Sequence, residues 1–212
     1  MSPKDKHYEA LANTVIQNLE KRQIEACYCA TIEDAEKKAF AYLTPGCTVS
    51  FGGSMTLDEI GMLTALRYDP NITLLDRATA TTPEEAKDIF HKALSADFYF
   101  MSTNAITANG ELVNIDGTGN RVAALIYGPE NVIIMAGMNK IVPDVEEAVL
   151  RIHNTVAPIN CQRLNRDTPC ASTGICSDCL ASDCICNQVV ITRRSGIPGR
   201  IKVILIGQEF GY

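Results

Sequence analysis

The residues of this chain best suited to chemistry are its cysteines, because six of the nine fall between Cys161 and Cys186. Four of them follow the spacing C-x5-C-x2-C-x6-C, namely Cys170, Cys176, Cys179 and Cys186. Four converging thiolates can hold zinc or an iron–sulfur cluster. The spacing therefore predicts a metal site that holds either zinc or an iron–sulfur cluster, and Cys184 could replace Cys186. Disulfides, redox thiols and small buried hydrophobes are the other interpretations.

Three loops rich in glycine, asparagine and hydroxyl side chains form a second candidate site. They cover residues 52–56, 102–106 and 114–121, and each follows a predicted strand. Glycines allow a ligand to approach the backbone closely, and a following helix start offers free N–H groups to an anion. The candidate ligand-binding residues in these loops are Gly52, Gly53, Ser54, Thr56, Ser102, Asn104, Asn114, Gly117, Gly119, Asn120 and Arg121.

Charged residues in or beside the loops could carry proton transfer and anion binding. Arg121 could clamp a carboxylate or phosphate through its planar fork, and Asp116 could act as a base. Glu59 either completes a capping box with Thr56 at a helix start or faces the ligand as a base. The alternatives are a tight strand-to-helix turn at residues 52–56 and a hydrogen-bonded turn with a solvated Arg121 at residues 114–121.

Helical and strand patterns alternate around these loops. Strands are predicted at 25–30, 48–51, 72–75, 97–101 and 131–135, with a hairpin at Asn109-Gly110, and helices at 8–22, 33–43 and 143–156 and from Thr82 onwards. This alternation predicts an α/β fold with a mainly parallel sheet and helices on both faces. Ligands of such sheets bind beyond the carboxyl ends of the strands, where the three loops lie.

The dipeptide Ala157-Pro158 is expected to end the last helix of the regular body. We therefore divide the chain into an α/β domain at 1–157 and a second part at 158–212. The second part holds the cysteine-rich segment and two apolar strands, 189–192 and 201–206, packed on the same domain.

Composition excludes several classes of protein. The formal net charge is -6, there is no basic run and there is no tryptophan, so nucleic acid is not an expected partner. No apolar run approaches the ~20 residues that cross a bilayer. The charged start, MSPKDKHYEALA, has no apolar leader, and we expect a cytoplasmic protein. Structural disulfides are disfavoured in that compartment, which favours the metal interpretation of the cysteines.

Several motifs resemble the bacterial lactate-utilisation (LUD) domain family, and the resemblance covers nearly the whole chain. It rests on residues 51–54, 56–61, 104–107, 110–114, 116–123, 137–143, 168–170, 173–179, 185–187, 198–200 and 207–212. It implies a fold similar to sugar-phosphate isomerases, glucosamine-phosphate deaminases and CoA transferases. One departure is Cys184, where a basic residue is expected, and it leaves open which cysteine completes the metal site.

The resemblance implies a protein of L-lactate to pyruvate metabolism, since some family members belong to an iron–sulfur lactate oxidation system. In this interpretation the three loops, with Lys140 as a further cation, bind a small anionic metabolite. The cysteines carry a cluster for electron transfer or for docking an iron–sulfur or redox partner subunit. The alternatives are a sugar-phosphate isomerase or acyl-transfer enzyme, in which Asp116 or Glu59 moves the proton, and a non-catalytic regulatory or assembly subunit. A homo-oligomer is left open.

Overall fold

A computed structural model describes residues 1–212, and its main sheet has six parallel strands. These are β1 (Glu25–Cys29), β2 (Thr48–Phe51), β3 (Thr73–Leu75), β4 (Phe98–Met101), β7 (Asn131–Gly137) and β10 (Ile201–Ile206), in the order β1-β10-β7-β4-β2-β3. The predicted α/β class and mainly parallel sheet are confirmed. The last strand of the chain lies second in the sheet, between the first strand and β7.

Helices cover both faces of the main sheet, as the alternation predicts. They are α1 (Pro3–Lys21), α2 (Ile32–Phe40), α3 (Met55–Glu59), α4 (Met62–Tyr68), α5 (Pro83–Ala93), α6 (Asn120–Tyr127), α7 (Val145–Arg151), α8 (Ala157–Arg163) and α9 (Pro169–Thr173). Successive residues of β7 point to opposite faces and join separate cores. Ile134 packs with Leu19 of α1 and Leu125 of α6, whereas Ile133 packs with Leu66 of α4.

A second sheet extends the fold beyond the carboxyl end of β4. It consists of β5 (Ala105–Thr107), β6 (Leu112–Asp116), β8 (Ile141–Val142) and β9 (Gln188–Thr192), in the order β8-β5-β6-β9. The predicted Asn109-Gly110 hairpin is confirmed, since β5 and β6 pair antiparallel, and Gly110 has a φ of 87°. Residues 102–104 therefore form the link that carries the chain from one sheet to the other.

The predicted helix end at Ala157-Pro158 is wrong. Helix α7 continues into a π-helical turn, Ile152–Val156, and then into α8, which extends to Arg163. Pro158 lies in the first turn of α8, directly after the wider π turn, where its missing N–H disturbs the helix least. The helical rod therefore passes through residue 157, and the division into two domains there stays a prediction.

The predicted capping box of Thr56 and Glu59 is also wrong, because the helix begins earlier. Ser54 is the N-cap of α3, and its Oγ accepts a hydrogen bond of 3.2 Å from the Leu57 N–H. Glu59 instead accepts from the Gly211 N–H at 2.6 Å.

Both strands of the C-terminal part are confirmed, but β9 joins the second sheet while β10 joins the main one.

Candidate functional site

A cleft of about 260 Å3 lies beyond the carboxyl ends of β2, β4, β6, β7 and β10. All three predicted loops contribute to it, together with the rod of α7 and α8 and the C-terminal residues. The predicted ligand-binding or catalytic residues that line it are Gly53, Ser54, Thr56, Ser102, Asn104, Asp116, Gly117, Asn120, Arg121 and Lys140. Glu59, Gly52, Asn114 and Gly119 lie outside its lining. The structure thus brings most of the predicted residues together, while their role in binding stays a prediction.

Arg121 fixes the loops of the cleft to one another. Its side chain is 12% exposed, and all five of its N–H groups donate to protein oxygens. The acceptors are Asp116 Oδ2 at 3.1 Å, Asn104 Oδ1 at 2.9 Å, the Ile115 carbonyl at 3.0 Å, the Ser102 carbonyl at 3.3 Å and Asn114 Oδ1. No N–H of its fork is left for a ligand anion, so Arg121 holds the site together instead of being solvated.

The carboxylate of Asp116 is likewise held by the protein. One oxygen accepts from the Gly119 N–H at 3.0 Å and the other accepts from Arg121 Nε. Gly119 has a φ of 89°, which a residue with a side chain rarely adopts, and this turn starts α6. Asp116 and Arg121 therefore form a buried ion pair at the end of β6.

The two glycines after β2 give room to two arginines. A Cβ at Gly52 would lie 3.3 Å from Arg121 Cδ, and a Cβ at Gly53 would lie 2.6 Å from Arg77 Nη2. Arg77 therefore rests directly against the Gly53 backbone. The guanidinium of Arg77 also lies over the Phe90 ring, 5.7 Å from its centroid, and forms no hydrogen bond to the protein.

Sequence reasoning missed Arg77, although it follows the carboxyl end of β3 by two residues. It also missed Arg163 and Arg166, because the helix was expected to end before them. Arg163 Nε donates to Asn160 Oδ1 and to the Tyr212 hydroxyl, and Arg166 pairs with Asp183 at 2.8 Å. Arg77, Arg121, Lys140, Arg163 and Arg166 line the cleft, and Asp116 is its one Asp or Glu side chain. The cleft is cationic in a chain with a net charge of -6.

Lys140 is buried at the wall of the cleft, with 3% of its surface exposed. Its Nζ donates to the main-chain oxygen of Tyr212 at 2.8 Å, and no Asp or Glu side chain lies within ion-pair distance. Burial lowers the pKa of Lys140 to about 7, helped by the positive charges of Arg151 and Arg121, while Glu59 opposes the shift. An amine with this pKa is half neutral near pH 7.

The structure does not show a metal site at the predicted cysteine ligands. Cys170 is buried, and Cys176 Sγ lies 3.2 Å from His153 Nδ1, a contact that the sequence did not predict. No group of three or more Cys, His, Asp or Glu side chains is placed to hold a metal ion. The cofactor, an iron–sulfur cluster or zinc, therefore stays a prediction.

Thiols nevertheless collect on one side of the cleft. Cys186 lines the cleft, and its N–H lies 3.4 Å from Cys184 Sγ. Burial raises the pKa of Cys186 to about 12, and the neighbouring thiols of Cys184, Cys161 and Cys176 add to the shift. A protonated thiol is a poor nucleophile, so the Cys186 thiol is a weak nucleophile in this arrangement.

The family model of the LUD domain matches residues 12–206, and the chain belongs to this family. A DUF162 family protein from Deinococcus radiodurans has a similar structure, with a TM-score of 0.55 and 13% identity over 94% of this chain and 98% of that one. That likeness supports the fold. A search of curated proteins gives no match.

Two further solved structures resemble part of the chain. Ribose 5-phosphate isomerase from Plasmodium falciparum has a TM-score of 0.32 and 18% identity, over 53% of this chain and 52% of that one. The delta subunit of eIF2B from Chaetomium thermophilum has a TM-score of 0.34 and 23% identity, over 52% and 48%. Neither likeness bears on the function.

None of the helices has the length and apolar character needed to cross a membrane.

Proposed function

We propose that this LUD-domain protein acts in 2-hydroxy-acid metabolism, L-lactate to pyruvate, and binds the small carboxylate in the cationic cleft. One observation carries the proposal: four arginines and Lys140 line a cleft whose single Asp or Glu, Asp116, is already paired with Arg121. The positive potential of these side chains attracts anions and gives neutral molecules no comparable attraction.

Arg77 is the group best suited to contact the carboxylate. Its guanidinium is free of protein hydrogen bonds, whereas Arg121 uses every N–H within the protein. A guanidinium binds a carboxylate through two parallel N–H donors. Hydroxyl and amide groups of Thr56, Ser102 and Asn104 line the same cleft and can hydrogen-bond the hydroxyl or carbonyl oxygen of the acid.

Replacing Arg77 by glutamine is expected to weaken L-lactate and pyruvate binding by about tenfold or more, since a hydrogen bond to a charged group contributes about 1.5–3 kcal/mol. Calorimetric titration measures the affinity, and the rise in melting temperature with ligand gives an independent reading. Arg193→Gln is the matched control, because Arg193 is exposed and lies outside the cleft. Lactamide is the matched neutral ligand.

Two results would contradict the proposal. Arg77→Gln could bind both acids as tightly as the parent, or lactamide could stabilise the parent as strongly as lactate does.

No further candidate function is favoured by the geometry. Glu59 lies off the cleft and Asp116 is held by two protein donors, so the isomerase, acyl-transfer and subunit interpretations stay predictions.

An iron–sulfur cluster, or zinc, bound by Cys170, Cys176, Cys179 and Cys186 is a separate proposal supported by their spacing alone. We expect protein purified without oxygen to contain iron and acid-labile sulfide, or zinc, and expect Cys176→Ser to lose it. Cys27→Ser, a change of a cysteine in β1, is the control that should retain the metal. Protein with neither metal would contradict the cofactor and, with it, an electron-transfer role beside a redox partner subunit.

A further inference from the structure

Strand β9 lies at an edge of the second sheet, because it pairs with β6 on one side only. Outside this ladder, residues 189–192 take part in no backbone–backbone hydrogen bond. A free row of N–H and C=O groups is a template for another strand, so proteins usually protect it by charge, proline or short length. The sequence of β9, QVVIT, has five residues and contains neither a charge nor a proline.

The other edges of the two sheets are protected. At the far edge of the second sheet, β8 has two residues, and at one edge of the main sheet β3 has three. The remaining edge strand, β1, begins with the exposed carboxylate of Glu25. Among the edge strands, β9 alone is both five residues long and uncharged.

Apolar side chains of β9 are exposed to solvent. Val189 is 55% exposed and Ile191 is 46% exposed. Both continue the face of the sheet that carries Val113 and Ile115 of β6. Over β6 this face packs against Ala148 of α7, whereas over β9 it is open. Covering it with a second apolar strand would be favourable, since apolar surface is removed from water.

A groove beside β9 adds to the exposed apolar surface. Ile126 and Tyr127, at the end of α6, line this groove together with Ile191 and with Ile197. Tyr127 is 91% exposed, and Ile126 and Ile197 are exposed as well. An exposed patch of this kind marks a surface for interaction with another protein.

The sequence of β9 is complementary to itself in the antiparallel direction. With Val190 of one copy opposite Val190 of the other, Val189 lies opposite Ile191, and both are β-branched. Gln188 then lies opposite Thr192, and both are polar. Directly opposed side chains are the pairs that stabilise a sheet, and β-branched residues pack well there. A two-fold axis at Val190 gives both copies the same contacts.

The charges beside β9 favour this direction over the parallel one. The segment 174–187, which enters the strand, contains Asp178 and Asp183 but no lysine or arginine. Arg193 and Arg194 follow the strand and are exposed. Antiparallel pairing brings the basic end of one copy beside the acidic segment of the other. Parallel pairing would bring arginines beside arginines, and like charges directly opposite each other destabilise a sheet.

We propose that two copies of this chain associate through β9, antiparallel about Val190, and join their second sheets into one continuous sheet. Ile126 and Tyr127 enlarge the contact beside the paired strands, because a stable interface needs about 20–30 residues from each partner. This interface goes beyond the proposed function and does not depend on it, since residues 188–192 lie outside the cationic cleft.

Sedimentation velocity of the full chain over a range of micromolar concentrations tests the association. We expect the parent to form dimers, and Ile191→Lys to need an about tenfold or higher concentration, because lysine on an edge strand opposes pairing. Tyr68→Lys is the matched control, since Tyr68 on α4 is 83% exposed and lies outside the groove. This variant should dimerise like the parent. Circular dichroism checks that all three proteins are folded.

Cross-linking between two cysteine variants tests the direction of pairing. Residues 189 and 191 of opposite copies face each other, so a mixture of Val189→Cys and Ile191→Cys should form a disulfide on mild oxidation, located by peptide mapping. Either variant alone places its two new thiols at diagonal positions, about 7–8 Å apart, which is too far for a disulfide.

Three results would overturn the proposal. A parent that stays monomeric shows that β9 does not pair with a second copy and leaves this edge to a different protein. If Ile191→Lys dimerises like the parent, or Tyr68→Lys dissociates like Ile191→Lys, β9 is not the interface. If either cysteine variant alone cross-links as well as the mixture, the antiparallel pairing about Val190 is wrong.

Discussion

Replacing Arg121 by methionine is expected to lower the free energy of unfolding by about 3–5 kcal/mol, because removing one partner leaves a buried charge uncompensated. Asp116 is buried and has only the Gly119 N–H as its other donor. The change also removes one donor from Asn104 Oδ1, which keeps the Ile115 N–H, and one donor from the Ile115 carbonyl. Chemical denaturation monitored by circular dichroism measures the loss.

Three further variants separate the possible causes of this loss. Arg121→Lys keeps the charge but cannot reach five acceptors, so it should recover only part of the stability. Asp116→Asn in the Arg121→Met background should recover part of it by removing the unpaired charge. Arg193→Gln, an exposed arginine, should change nothing measurable. A loss below about 1 kcal/mol for Arg121→Met would mean that Arg121 does not hold the loops together.

Replacing Lys140 by methionine is expected to stabilise the protein at pH 6 and to lose that advantage as the pH rises. The amine has a pKa of about 7 in the folded chain and 10.5 as its model value. Between these values the unfolded chain binds more protons than the folded chain, so the parent gains stability with rising pH. From pH 6 to pH 10 the difference between variant and parent should shrink by about 4 kcal/mol.

Denaturation of both proteins at a series of pH values, in a buffer without carboxylate or phosphate, measures this difference. Tyrosines and thiols titrate in the same range, but they are common to both proteins and cancel. Lys87→Met is the control for the removal of an exposed lysine, because Lys87 lies on the surface of α5. A pH-independent difference for Lys140→Met would show that the amine stays charged in the folded protein.

The places where the sequence predicted the fold well are governed by local chemistry. Thr82 and Glu85 form a capping box at the start of α5, and Asn109-Gly110 turns β5 into β6. Both depend on residues close in sequence. The two errors are also instructive: Ser54 precedes Thr56 as the cap, and a π turn allows the helix to pass Pro158. In the first, the hydroxyl of Ser54 caps the helix two residues earlier; in the second, the wider π turn lets the helix continue past Pro158.

By itself the sequence determined the alternation of helices and strands and hence the edge of the sheet where ligands bind. It also located the three loops there, since strand ends can be read from local patterns and the carboxyl ends of parallel strands share one edge. The tertiary structure alone decided which charges meet. Arg121 donates every N–H of its guanidinium to the loops, Arg77 forms no hydrogen bond to the protein, and buried Lys140 donates to the main-chain oxygen of Tyr212. These outcomes depend on strand order and on contacts between residues far apart in the chain, which residue spacing does not record.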